Sequence, residues 1–174
     1  MDFMNYIKQG IEIVKLNEKA MVSASKDNDA TLGAVLIALV GGVAGAIGTL
    51  SFMSIPLNAV FQVIGLFIFG GIIHLLALLF GGKGDYLGVI RPMGLAMVLS
   101  WISVIPFIGP MLMLVVGLWS IVVDVMIIKS VHGLSTLKAA LCVLIRVIIA
   151  MVIALIFVVM VGAAILSAFA GGFA

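Results

Sequence analysis

The residues with chemistry to offer are few. His74, Asp124 and Arg146 each stand inside a long apolar run, where an imidazole, a carboxylate and a guanidinium are costly to hold in lipid. Counted from the nearer polar end of its run, each lies about 9 to 12 Å deep at 1.5 Å per residue. Three different helices therefore offer an acid, a base and an imidazole at one level. Two chemistries fit such an intramembrane polar cluster. In one, Asp124 and Arg146, on adjacent antiparallel helices, form an ion pair that fixes helix register, with His74 joining them; Arg146 by itself could also snorkel toward headgroups. In the other, the three belong to a proton or ion path.

Other chemistries find no support. The two histidines, His74 and His132, and the single cysteine, Cys142, stand at no recognised zinc spacing. No nucleophile has a base at a recognisable spacing, and there is no hydrolase elbow or His-Glu-x-x-His pair. The expectation is no catalytic residue, no metal and no cofactor. Gly81, Gly82 and Gly84 superficially suggest a phosphate loop, but they follow an apolar run rather than a strand, and a flexible loop is expected. Asn58 and Gln62, one turn apart, are expected to hydrogen-bond a neighbouring helix or to line a small cavity, and Ser135 or Thr136 to cap the last helix.

The elements that must carry these groups follow from composition. Of 174 residues, 65% are hydrophobic and 9% charged, against about a quarter charged in a soluble domain. Nine charges fall in residues 1 to 29, and the long uncharged gaps after Asp29, Arg91 and Arg146 each hold a bilayer span. The expected fold is an all-α integral membrane protein. Its five spans run over about 30–53, 57–81, 90–106, 110–130 and 137–168, with a basic amphipathic interfacial helix ahead of them. Pro106 and Pro110 divide an apolar stretch too long for one span. Lys83, Asp85, Tyr86 and Arg91, with Lys129, His132 and Lys138, mark two polar loops on the side of the N-terminal lysines. The opposite connections carry no charge, so the positive-inside rule places the N-terminus in the cytoplasm and the C-terminus across the membrane. The first 29 residues lack the apolar core of a signal peptide.

Residues 1 to 29 form one segment and residues 30 to 174 the membrane domain. On a helical wheel over 3 to 22, Phe3, Ile7, Ile11, Val14 and Met21 share a face. Lys8, Lys15, Lys19 and Lys26 fall in a wedge of about 40° away from it, suiting a helix on anionic headgroups. A helix packed on the loops is the alternative. In the first span Gly41 and Gly45 share one face and Ala38 and Gly42 its neighbour, so backbones can approach closely within the chain or across a homo-oligomer.

The segments GGKGDYLGVIRP at 81–92, IPFIGP at 105–110 and LWSIVVDVMIIKSVHGLSTLKAA at 118–140 occur in that order. Together they resemble the Yip-one domain family of Ypt-interacting proteins. In eukaryotes its members are five-span proteins of the early secretory pathway that contact small GTPases of the Rab type. The Asp-Leu-Gly-Pro motif of those members has no counterpart in residues 1–29, which contain no proline, and the compact form is similar to prokaryotic members. The resemblance implies a non-catalytic membrane-organising or trafficking adaptor whose partners are the bilayer, a membrane or cytoplasmic protein, or a second copy, and not nucleic acid. A small channel or transporter using His74, Asp124 and Arg146 is the alternative function.

Overall fold

The computed structural model describes residues 3–171; residues 172–174 of the membrane domain lie outside them. The helices are α1 (Phe3–Val14), α2 (Glu18–Lys26), α3 (Ala30–Gly48), α4 (Ile55–Leu79), α5 (Tyr86–Ala96), α6 (Ile108–His132) and α7 (Thr136–Gly171). A 3₁₀ turn at Phe52–Ser54 leads into α4, and a longer one at Met97–Val104 continues α5. Five segments are long and apolar enough to cross a bilayer: Ala30–Gly48, Phe52–Leu79, Tyr86–Val104, Ile108–His132 and Thr136–Ala164. Among the described residues there is no strand.

The N-terminal segment departs from the single helix expected over 3 to 22. Leu16 adopts φ 64°, and the Asn17 side chain accepts hydrogen bonds from the N–H groups of Lys19 and Ala20. An asparagine that caps a new helix outweighs continuous apolar periodicity. The buried face differs too. Tyr6, Gly10 and Ile13, then Met21, Ala24 and Ser25, face the bundle, whereas Ile11 of the expected stripe is exposed. Both helices pack on α5, so the segment is docked against the protein while Lys8, Lys15, Lys19 and Lys26 remain exposed.

The small residues of α3 are used within the chain, which sits at the centre of the fold against α4 and α5. A Cβ added at Gly42 would stand 2.5 Å from the Asn58 carbonyl oxygen and 2.6 Å from the Ala59 Cα. Gly41 meets the Ser100 hydroxyl, Gly48 the Ser103 carbonyl, and Gly45 looks more loosely toward Ser103; Ala38 is fully buried. The facing serines lie on the 3₁₀ segment, where residues three apart eclipse. Four α-helical residues rise about 6 Å and three 3₁₀ residues also rise about 6 Å. The step from Gly41 to Gly45 thus matches the step from Ser100 to Ser103.

The same segment solves a length problem. Pro92 sits inside α5, and nineteen residues in pure α geometry would reach about 28 Å, short of a ~30 Å hydrocarbon core. Eight residues at about 2 Å rise add the missing length. Ser100 Oγ donates to the Met97 carbonyl at 2.7 Å and Ser103 Oγ to the Ser100 carbonyl at 2.6 Å, so each hydroxyl finds a partner within the tighter helix.

Candidate functional site

Asp124 and Arg146 are brought together, and His74 is not with them. Arg146 Nη2 donates to Asp124 Oδ2 at 2.6 Å between α6 and α7. Asp124 is 8% exposed, and Arg146 Nε has no hydrogen-bond partner among the described residues. His74 turns instead to His132, with Nδ1 and Nε2 3.4 Å apart. Depth alone placed the three at one level, but the face of α4 that carries His74 looks at the end of α6 rather than at the ion pair.

His132, expected in a polar loop, is a buried residue of the last turn of α6. Its Nδ1 accepts from the Gly84 N–H at 3.1 Å. The proton of the neutral ring therefore sits on Nε2 and points at His74 Nδ1. Lys83 N–H reaches the His132 carbonyl at 3.2 Å. Gly82 and Gly84 of this loop are there for close approach rather than flexibility: a Cβ at Gly82 would meet His132 Nδ1 at 2.6 Å, and one at Gly84 the Val131 carbonyl at 2.7 Å. Gly81 and Gly133 also take positive φ, 89° and 66°, which a glycine adopts without strain. His132→Leu is expected to release the loop, raising hydrogen exchange at the Gly84 amide about tenfold for a lost bond worth about 1.4 kcal/mol; unchanged exchange would show that the glycines alone hold it.

The remaining loop residues also stitch the base together. Asp85 caps α5 through the Gly88 N–H at 2.9 Å, and Tyr86 donates to the Phe67 carbonyl at 2.9 Å. Lys138 reaches the Phe80 carbonyl at 3.1 Å, Lys129 pairs with Glu18 at 2.7 Å, and Ser135 caps α7. Arg91, expected from the sequence to mark a polar loop, is buried. Its guanidinium donates to Ser25 O at 2.7 Å, Asn28 Oδ1 at 2.8 Å and Thr31 Oγ1 at 2.9 Å, clasping the junction of α2 and α3. In α1, hydrogen bonds from Lys15 and then Asn17 hold the Glu12 carboxyl below its usual range. The α1 end is held as well, since Trp119 donates to the Val14 carbonyl at 3.1 Å.

Above the ion pair, α4, α5 with its 3₁₀ extension, and α6 enclose a cavity of about 350 Å³. Its wall is mostly apolar, with Gln62, Ser100, Ser120 and Asp124 as the polar lining. Both serines bond their own helices. Gln62 forms no hydrogen bond to the described residues, and Asn58 bonds Ser54, so neither bonds another helix, and Gln62 takes the other expected role, lining the cavity. No group of three or more metal-binding side chains occurs among the described residues.

The Yip1 domain matches the chain over residues 19–160. No curated protein and no solved structure matches it.

Proposed function

The chain belongs to the Yip1 domain family, and from that premise we propose that it is a non-catalytic adaptor that organises a membrane through its cytoplasmic face. The N-terminus lies in the cytoplasm and the C-terminus opposite, by the asymmetry of the basic residues. The observation that carries the reading is the construction of that face. Arg91, Trp119 and Lys129 fasten α1 and α2 to the bundle, while Lys8, Lys15, Lys19 and Lys26 stay exposed. Residues 1–29 carry five acids beside these four lysines, and Lys15 pairs with Glu12 at 2.9 Å. The contacts with anionic lipid or an acidic partner therefore rest on Lys8, Lys19 and Lys26, each lysine near such a surface being worth about 1 kcal/mol.

The native protein is expected to melt at a higher temperature in anionic than in zwitterionic nanodiscs. Changing the four lysines to glutamine should erase that difference, and equal midpoints for the parent in both lipids would remove lipid from the list of contacts. The transport reading is favoured by one observation, the exposure of a buried carboxylate to a cavity. Sealed liposomes holding the full chain are expected to keep proton and small-ion gradients, for the parent and for Asp124→Asn alike. Leakage that follows the Asp124–Arg146 pair would replace the adaptor by a transporter.

A further inference from the structure

We propose that the cavity between α4 and α6 is a binding site for a neutral, bilayer-dissolved lipid alcohol, with its hydroxyl on Asp124 and its chain leaving sideways into the membrane. Three observations converge. The volume of about 350 Å³ falls at the small end of the range for ligand sites, about 300 to 1,000 Å³, and the apolar wall with few polar groups fits the same class. Asp124 is 8% exposed as a residue and its side chain 11% exposed, and only its Oδ2 is engaged, by Arg146. Its Oδ1 has no hydrogen-bond partner among the described residues, and the residue lines the cavity. A carboxylate oxygen accepts and cannot donate, so a group that meets Oδ1 from the cavity is a donor.

The charge of the site selects the donor. Asp124 and Arg146 neutralise each other, so a cationic or anionic headgroup gains little there and must still shed its water inside the membrane. A hydroxyl has far less to lose and supplies the hydrogen bond. The entrance is marked by Gly65 on α4 and Gly117 on α6, both lining the cavity. A Cβ at Gly117 would meet nothing within 4 Å, and one at Gly65 only Phe69 of its own helix at 3.9 Å. Counting along each helix, the two glycines stand at nearly one depth, and Asp124 lies seven residues below Gly117, about 10 Å toward the base. That distance leaves room for the first part of a chain before it turns out between the helices. Residues 151–161 of the neighbouring α7 are all exposed, so that stretch does not close the opening.

The test uses the full chain in liposomes with hexadecanol bearing a mid-chain diazirine, followed by peptide mapping after illumination. Labelling is expected on α4 and α6 around Phe61 and Met113. Excess hexadecanol should suppress it about tenfold, equivalent to about 1.4 kcal/mol, while hexadecane and deprotonated palmitate should not. Gly117→Leu and Gly65→Leu, which fill the entrance without meeting backbone, should each reduce labelling similarly at an unchanged melting temperature. Suppression by hexadecane as strong as by the alcohol would reduce the cavity to a slot wetted by lipid tails, and labelling indifferent to both glycine variants would place the bound alcohol elsewhere.

Discussion

Asp124→Ala is expected to destabilise the protein by about 3–5 kcal/mol, because it leaves the Arg146 guanidinium buried without its carboxylate. The pair is short and little exposed, so solvent screening offers small relief. Arginine can reach toward headgroups when its partner is lost, which pulls the expected value toward the lower figure. The double change Asp124→Leu with Arg146→Met should recover most of the loss, since a well-packed apolar pair often equals or betters a buried ion pair. Unfolding in mixed micelles measures both. A single variant within 1 kcal/mol of the parent would mean that Arg146 finds headgroups without cost and that the pair does not hold α6 to α7.

Arg91→Lys is expected to cost about 2–3 kcal/mol despite keeping the charge. The guanidinium serves Ser25, Asn28 and Thr31 from one planar fork, and a lysine ammonium has neither the width nor the fixed geometry to reach all three. Bonds to a charged donor are worth about 1.5–3 kcal/mol each and do not add when they share one group. The local readout is tryptic cleavage after Lys26, an exposed residue at the end of α2. It should accelerate roughly 30-fold for about 2 kcal/mol of lost local stability. A lysine variant as resistant as the parent would show that helix packing, and not the clasp, closes this junction.

The spans were legible because long uncharged runs between charge clusters have one physical outcome in lipid. The meeting of Asp124 with Arg146 was legible for a related reason, since opposite charges at equal depth on antiparallel neighbours have few other partners. His74 shows where this reasoning stops. Equal depth leaves the helix face open, and only packing settles that His74 looks toward His132. Arg91 was invisible for the converse reason: its three acceptors are a carbonyl, an amide and a hydroxyl 60 to 66 positions away, none of them distinctive in sequence. The break at Leu16 left one mark, the asparagine that follows it, which periodicity over 3 to 22 concealed. The cavity left one polar mark in the sequence, Gln62, whose position one turn from Asn58 allows a cavity wall as readily as an interhelical bond, while Gly65 and Gly117 carry nothing distinctive.

The match between the glycines of α3 and the serines of the Met97–Val104 segment has a mechanical consequence. Two helices of different pitch mesh here like a rack cut to two gauges, with teeth coinciding only while the second helix stays tightly wound. Relaxation of those eight residues to α geometry would shorten them by about 4 Å. Ser103 would then slip out of step with Gly45 and Gly48, and the loop around Phe107 would be drawn toward the bundle. Met97, Leu99 and Ser100 of the same segment form part of the cavity wall. The winding of one short helix thus positions three residues of that wall.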